Sequence, residues 1–412
     1  MNCCDRLLKY VTIRTPSDEE SSSVPSSACQ FELAWHLYRE LFTMGITDVK
    51  LDTKCYLYAH IPPSPGYEDR PVLGFIAHMD TVSDFCDHRI IPVVYKDYDG
   101  RDLPLGDSGR VLSPEQFPHL PGLKGRTLIT SDGTTILGAD DKAGISEIMT
   151  MAERLMDGDI PHGPVAIAFT PDEEIGLGAA NFDLEEFGAD FAYTLDGDTE
   201  GEIQYENFNA CRAEFKITGV NVHPGSAKNI MVNASLVAME INSLLPSGET
   251  PRDTEGYEGF YHLTDMKGDV AEAVLHYIVR DHQADSFEKR KQTLHEIVKM
   301  MNQKYGRGTV ALIITDQYRN MAEIIAESMH LIENAEKACH NVGIKPLILP
   351  IRGGTDGAQL SFKGLPCPNL GTGGHGYHGP YEHITSEGME AACNVAMELV
   401  KIYSQWEKDS KN

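Results

Sequence analysis

The sequence predicts an α/β fold with a mostly parallel mixed sheet and a smaller, inserted ferredoxin-like domain. Strand-length apolar runs alternate with helical patterns in the first half of the chain, and from residue 209 the order changes to β-α-β-β-α-β. The chain has 412 residues. At about 150 residues per domain, this length fits one large domain and one smaller one. We therefore expect a large domain from residues 1–208 and 319–412 and an inserted domain from residues 209–318.

The large domain is predicted from three apolar runs and one helix. Residues 71–77, 165–170 and 191–195 each fit a buried strand, and residues 143–156 carry apolar side chains over a wide helical face. Strands that alternate with helices favour a parallel sheet. Helical and strand patterns resume at Met321, so both ends of the chain are expected to build this domain.

The inserted domain is predicted from six elements in a row. Its expected strands are residues 213–218, 259–264, 273–280 and 309–315, and its helices are residues 231–245 and a segment that begins at Ser286. Pro246 ends the first helix because proline lacks the N–H that a helix interior needs. This is the β-α-β-β-α-β order of ferredoxin-like modules.

The composition excludes several classes of function. The formal charge is −27, from 35 basic and 62 acidic residues, and such a charge repels nucleic acids and anionic lipids. No run of about 18 apolar residues is present, and the first ten residues carry charges, so neither a membrane span nor a signal peptide is expected. The nine cysteines include no C-x-x-C pair, which indicates reduced thiols. We expect a cytoplasmic protein that binds neither nucleic acid nor membrane.

Acids and a histidine follow the predicted strands at their carboxyl ends. His78 and Asp80 follow the first apolar run, Glu173 and Glu174 the second, and Asp196 the third, while residues 140–141 precede a helix. Each has an ordinary explanation alone: a buried histidine, a solvated acidic turn or a helix N-cap. Ligands bind at the carboxyl ends of strands in open α/β sheets. The combination therefore predicts a metal site.

The motifs around these residues resemble those of the co-catalytic zinc exopeptidases, the family that includes aminoacylases, dipeptidases and carboxypeptidases. The matching segments are residues 74–82, 137–144, 171–176, 195–197, 221–225, 231–234, 351–358 and the pair Tyr377-His378. They occur in the family's order over nearly the whole chain. Within that family the chain most resembles the tripeptide aminopeptidases.

The resemblance implies a ligand set for two zinc ions. His78, Asp140 and Asp196 would bind one ion, and Asp140, Glu174 and His378 the other, so that Asp140 bridges them. Two Zn²⁺, three carboxylates and a bridging hydroxide sum to zero charge, and histidine with carboxylate ligands fits catalytic zinc. His383 and His375 remain alternatives to His378, since all three lie in one short segment.

The resemblance also implies roles around the metals. Asp80 would accept the second ring N–H of His78, and Glu173 would be the general base for attack by a zinc-bridging hydroxide. His223 would reach across a homodimer to the oxyanion, and Arg352 would grip the carboxylate of the peptide. Weaker candidates for substrate contacts are Arg280 and Asn207.

The expected function is therefore release of the N-terminal residue from tripeptides by a zinc metallopeptidase. The inserted domain would serve as a lid and in dimerisation. The alternatives are a di-zinc dipeptidase, carboxypeptidase or N-acyl amino acid hydrolase, which share these ligands, and a metal-binding protein without activity. Glu173 argues against the last, because a storage site needs no free base beside its ligands.

Overall fold

The computed structural model describes residues 1–158 and 160–406, which form two compact units. Among the described residues, the first unit comprises those within 1–205, 324–349 and 355–406, and the second comprises residues 206–323 and 350–354. The sequence predicts boundaries after residues 208 and 318, and it does not anticipate that residues 350–354 join the second unit. No helix among the described residues has both the length and the apolar character needed to cross a membrane.

Ten α-helices lie in the described parts of the chain. They are α1 (Cys3–Tyr10), α2 (Gln30–Thr43), α3 (Ala139–Asp157), α4 (Leu184–Phe187), α5 (Ala234–Leu244), α6 (Ala284–Tyr305), α7 (Ala322–Ile325), α8 (His330–Asn341), α9 (Asp356–Phe362) and α10 (Ser386–Ser404).

Eighteen strands accompany them over the same residues. They are β1 (Asp48–Leu51), β2 (Leu57–Ile61), β3 (Leu73–His78), β4 (Pro92–Tyr95), β5 (Leu103–Pro104), β6 (Val111–Leu112), β7 (Leu128–Ser131), β8 (Val165–Thr170), β9 (Phe191–Gly197), β10 (Glu202–Gln204), β11 (Asn209–Thr218), β12 (Phe260–Gly268), β13 (Glu272–Asp281), β14 (Val310–Tyr318), β15 (Leu347–Ile348), β16 (Asn369–Gly371), β17 (Gly374–His375) and β18 (His383–Thr385).

The main sheet of the first unit has the strand order β1-β2-β8-β3-β9-β16-β10-β15. Its centre, from β8 through β16, is parallel. Strands β1 and β2 pair antiparallel with their neighbours, and β10 is antiparallel to β16 and parallel to β15. Every residue of β3 and β8 is buried, as expected for parallel strands covered on both faces. The predicted α/β class with a mixed sheet is confirmed.

The central strands run slightly further than the sequence predicts. His78 ends β3 opposite Thr170 rather than following the strand, and Asp196 lies inside β9. Neighbouring strands continue the hydrogen-bonded ladder at both points, and a single sequence does not reveal which strands are neighbours. Both side chains still reach the same edge of the sheet, where parallel strands end.

Helix α3 begins irregularly. Asp140 and Asp141 have non-helical backbone angles, with ψ of 105° and 37°, and the peptide bond between them is cis. From Ala143 to Met151 every residue of the helix is buried. The helix predicted from apolar residues at 143–156 is therefore present, and the acids stand in a turn ahead of its regular part.

A second sheet of the first unit was not predicted. It has the order β17-β18-β7-β4, is antiparallel throughout, and consists of strands two to four residues long. Strands of that length carry too few residues to show a period of two.

The second unit has the predicted β-α-β-β-α-β order. Its sheet runs β12-β13-β11-β14, with antiparallel pairing throughout. One face is covered by α5 and α6, which bury side chains such as Ile241 and Leu294 with Phe215, Leu275 and Tyr277 of the sheet. Because the two helices form a core with only one face of the sheet, the strands alternate between buried and exposed residues.

Candidate metal centre

Five segments of the first unit carry the predicted ligands. His78 ends β3, Asp140 lies in the turn that opens α3, Glu174 follows β8, Asp196 lies in β9, and His378 lies between β17 and β18. His378 has a φ of 61°, the left-handed conformation that a non-glycine residue adopts only when its surroundings hold it.

The two histidines stand on either side of Asp140. Nε2 of His78 lies 2.9 Å from Oδ1 of Asp140 and 3.4 Å from Oδ1 of Asp196. Nε2 of His378 lies 3.1 Å from Oδ2 of Asp140 and 3.1 Å from Oε2 of Glu174. Each oxygen of Asp140 therefore faces a different histidine, and each histidine faces a second carboxylate.

Two overlapping groups in the described chain could each hold an ion. Ligand atoms of His78, Asp140 and Glu174 lie within 4.8 Å of one another, and so do those of His78, Asp141 and Asp196. Asp141 was not among the predicted ligands. Its carboxylate accepts the backbone N–H groups of His78 and Gly144, each at 3.1 Å, one bond to each oxygen.

The acids and histidines of this cluster shift one another's pKa values. Burial and the charge of Asp140 raise the pKa of Glu174 to about 7. Hydrogen bonds to Asp140 and Glu174 raise the pKa of His378 to about 11. Burial works to raise the pKa of Asp140, but hydrogen bonds from His378 and His78 outweigh it and lower that pKa. These directions describe concentrated negative charge, which a cation neutralises.

The donor set fits a divalent metal. Oε1 of Glu174 is buried without a hydrogen-bond partner, an arrangement that is costly unless something binds it. Within the described residues, the ion pairs of Asp140, Glu174 and Asp196 are to histidine and never to lysine or arginine. Histidine nitrogens with carboxylate oxygens and no thiolate suit a catalytic rather than a structural site.

Asp80 holds the segment that carries the two glutamates. Its carboxylate accepts the backbone N–H of Glu173 at 2.9 Å and that of Glu174 at 3.2 Å. Nδ1 of His78 lies 3.0 Å from the main-chain carbonyl of Asp80 and 3.5 Å from its carboxylate. The closer acceptor for the ring N–H is therefore the carbonyl, which orients a ligating histidine as well as a carboxylate does.

Glu173 directly precedes Glu174 but, like His378, belongs to neither of the two groups of ligand atoms in the described residues. Burial and the charge of Asp196 raise the pKa of Glu173 well above its usual range. A carboxylate with such a pKa is suited to taking up and returning a proton near neutral pH.

The two alternative histidines lie in a separate cluster. The Nε2 atoms of His119 and His383 are 2.8 Å apart, and the ring of His375 stacks on His119 with centroids 4.0 Å apart. Burial lowers the pKa of His375 to about 3 and that of His383 to about 4. Of the three histidines, His378 is the one placed against Asp140 and Glu174.

The predicted substrate residues lie in the second unit. Arg352 donates to the carbonyls of Gly256 at 2.7 Å and Glu258 at 3.0 Å, and to Oγ1 of Thr254 at 2.9 Å. Arg280 donates to the carbonyl of Arg352 at 3.2 Å, and its Nε is buried without a partner.

His223 and Asn207 are the other two predicted site residues in the second unit. His223 is exposed, and its Nδ1 accepts the N–H of Gly225 at 3.1 Å. Asn207 is buried and donates to the carbonyls of Phe208 at 2.9 Å and Arg319 at 3.0 Å. These two bonds use both amide hydrogens of Asn207. Its contact with substrate stays a prediction.

Sequence reasoning assigned no role to the buried acid that directly precedes the two glutamates. Asp172 has a φ of 60° and accepts the N–H of Ser26 and the side-chain amide of Gln30, each at 2.7 Å. Its place directly before Glu173 was a usable signal. A partner about 140 residues away leaves no local pattern.

Known proteins match this chain over part or nearly all of its length. Residues 205–309 match the family model described as a peptidase dimerisation domain. A peptidase T from Alkaliphilus oremlandii is 49% identical over 407 residues, which is 98% of this chain and 100% of that protein.

Solved structures share the fold. A tripeptidase from Staphylococcus aureus superposes with a TM-score of 0.79 at 22% identity, covering 98% of each chain. A dinuclear metal-binding peptidase from Bacillus subtilis superposes with a TM-score of 0.63 at 16% identity, covering 97% of each chain. With nearly half of its residues identical to a full-length relative, the chain belongs to the peptidase T family.

Proposed function

We propose that this protein is a zinc-dependent aminopeptidase that releases the N-terminal residue from tripeptides. The observation that carries the proposal is Asp140, whose two carboxylate oxygens face two different histidines, each with a further carboxylate at hand. The names of the relatives, peptidase T and tripeptidase, support the substrate class.

Two metal ions would share the site. His78, Asp140 and Asp196 would hold one, and Asp140, Glu174 and His378 the other. When bound, such a pair polarises the scissile carbonyl and makes water acidic enough to serve as a nucleophile. The nitrogen and oxygen donors suit zinc, and the shared carboxylate supports a count of two.

The protein's own groups would move the protons. Glu173 would take a proton from the attacking water and return it to the nitrogen of the leaving amine. Asp80 fixes the backbone of Glu173 and Glu174 through two hydrogen bonds. The base and its neighbouring ligand therefore share one support, which keeps their relative position constant.

Substrate ends would be recognised by the second unit. The guanidinium of Arg280 donates to the main-chain carbonyl of Arg352, and its unpartnered Nε can donate to a carboxylate. We expect an amidated tripeptide to bind far more weakly than the free acid, and Arg352→Ala to erase most of that difference. Thr254→Val removes one contact of Arg352 but keeps its charge, and it should keep the discrimination.

The protein would act as a homodimer in the cytoplasm. The match to a dimerisation domain supports the dimer. Helix α5 in that domain leaves Leu236 60% exposed and Met239 59% exposed, apolar surface of the kind that interfaces cover. His223 would donate to the oxyanion in the partner's site.

A panel of defined peptides tests the function. Purified protein loaded with zinc is incubated with di-, tri- and tetrapeptides, each with a free or an acetylated N-terminus. We expect hydrolysis of the tripeptides with a free amine and release of their first residue. Preferred cleavage of dipeptides, release of the C-terminal residue or hydrolysis of acetylated substrates would instead select one of the other di-zinc hydrolases.

A further inference from the structure

A buried carboxylate outside the ligand set holds the loop that carries Asp140. Glu382 is 1% exposed. Its Oε2 accepts the backbone N–H groups of Leu137 at 2.7 Å and Gly138 at 2.8 Å, and its Oε1 accepts the N–H of Asp140 itself at 3.0 Å. Both oxygens of one side chain thus grip three N–H groups within four residues of the ligand loop.

The same residue belongs to the segment that carries His378. The N–H of Glu382 donates to the carbonyl of Gly379 at 3.1 Å, which closes a turn directly after His378. His378 in turn lies 3.1 Å from Oδ2 of Asp140. Glu382 therefore joins, through its backbone and its side chain, the two segments whose ligands meet at Asp140.

Both segments contain left-handed backbone next to the ligands. Gly138 has a φ of 75° and His378 has a φ of 61°. Glycine adopts this conformation without steric cost, whereas at a non-glycine residue such as His378 it persists where surrounding contacts over-determine it. The hydrogen bond from Glu382 to the carbonyl of Gly379 is one such contact, directly after His378.

We propose that Glu382 is a positioning residue, which sets the carboxylate of Asp140 against His378 so that the pair is pre-arranged for metal. The inference rests on the proposed function only in taking Asp140 and His378 as ligands. Glu382 holds the backbone of Asp140 and not its carboxylate. A ligand whose supporting hydrogen bonds are already in place binds with less rearrangement, and losing an outer partner typically costs 10–100-fold in metal affinity.

The variant Glu382→Gln distinguishes the hydrogen bonding of Glu382 from its packing. Glutamine has the same shape, but its NH₂ group must face either the N–H of Asp140 or those of Leu137 and Gly138, and two donors cannot bond. Glu387→Gln is the matched control. Glu387 accepts one backbone N–H, that of Thr127 at 2.8 Å, in the same C-terminal segment and away from the ligand loop.

The test measures zinc affinity by chelator competition, together with the thermal unfolding of the metal-free proteins. We expect Glu382→Gln to bind zinc 10–100-fold more weakly than wild type, with kcat lowered and KM within about twofold at saturating zinc. Glu387→Gln should match wild type. Zinc affinity within twofold of wild type in Glu382→Gln would overturn the proposal, whatever the unfolding temperature does.

A second measurement applies if the variant does not fold. In metal-free wild-type protein, hydrogen exchange over residues 137–140 should be slow, because Glu382 bonds three of these amides without any metal. Rapid exchange there would overturn the proposal. Failure of the wild-type protein to bind zinc or cleave peptides would contradict the proposed function instead, so the two failures are distinct.

Discussion

Glu173 and Glu174 are adjacent, but we expect them to have different roles. Glu174 faces His378, whereas Glu173 stands outside both ligand groups. Glu173→Gln should therefore keep about two zinc ions per chain while kcat falls by about 10²–10⁴-fold, because only proton transfer is lost. Glu174→Gln is the control and should lose zinc. Loss of zinc in the Glu173 variant, measured by metal analysis, would mean that the two roles are reversed.

Asp140 and Asp196 differ in how many histidines they face. Asp140 approaches both His78 and His378, and Asp196 approaches His78. Asp140→Ala should lower occupancy at both metal positions, and Asp196→Ala at mainly one, as counted by zinc titration of each variant. Full occupancy in the Asp140 variant would exclude it as the bridge.

For single residues, the sequence predicted which side chains meet at the site better than it predicted their hydrogen-bond partners. Strand ends and motifs placed His78, Asp140, Glu174 and His378 within reach of one another. The hydrogen bond from His78 to the carbonyl of Asp80, rather than to its carboxylate, was not predictable. Such bonds depend on backbone angles at neighbouring positions, which residue types alone do not specify.

Helices α1 and α2 are joined by Glu40, whose bonds give a pH-dependent contribution to stability. Its carboxylate accepts from Arg6 at 2.9 Å and from Tyr10 at 2.8 Å. Burial alone would raise the pKa of Glu40, but hydrogen bonds from His36 and Tyr10 and the charge of Arg6 lower it to about 2. The folded protein therefore favours the charged form more than the unfolded chain does.

Because the folded pKa lies below the unfolded one, this stabilisation is complete above the unfolded pKa of about 4.3 and is lost as pH falls towards 2. Glu40→Gln should lower the free energy of unfolding by about 1–3 kcal/mol at pH 7. The deficit should shrink on acidification, as followed by urea denaturation of both proteins. Glu32→Gln, on the exposed face of α2, is the control. A deficit that does not change down to pH 2 would contradict the assignment.

The length of each helix or strand determined whether the sequence could predict it. Long periodic segments such as α3 and α6 and the buried strands β3, β8 and β9 were found within a few residues. The sheet of β4, β7, β17 and β18 was missed because its strands of two to four residues are too short to show a periodic pattern. His378 projects from the loop between two of these short strands, which is why His375 and His383 could not be set aside from sequence.

The whole molecule was predicted as two parts because the helix and strand patterns resume after the inserted segment. The return of residues 350–354 to the second unit was not predictable, since five residues carry no periodic signal. Arg352 lies in this return. The sequence therefore predicted a substrate role for Arg352 without predicting which unit contains it.

If His223 acts across a dimer, two inactive chains should complement each other. A mixture of Glu173→Gln and His223→Ala chains should regain activity, because a mixed dimer holds one site with its own Glu173 and the partner's His223. Subunit exchange is first verified with differently tagged chains. No recovery after verified exchange would place His223 in its own chain's site or outside catalysis.

The central claim, a two-metal aminopeptidase, is tested most directly by titrating metal-free protein with zinc while following hydrolysis of a free tripeptide. The protein is first stripped with a chelator and shown to be inactive and folded. The account predicts that activity rises to a plateau at two zinc ions per chain and that the first residue is the product released. Full activity after complete removal of metal, or a plateau at one zinc ion per chain, would contradict it.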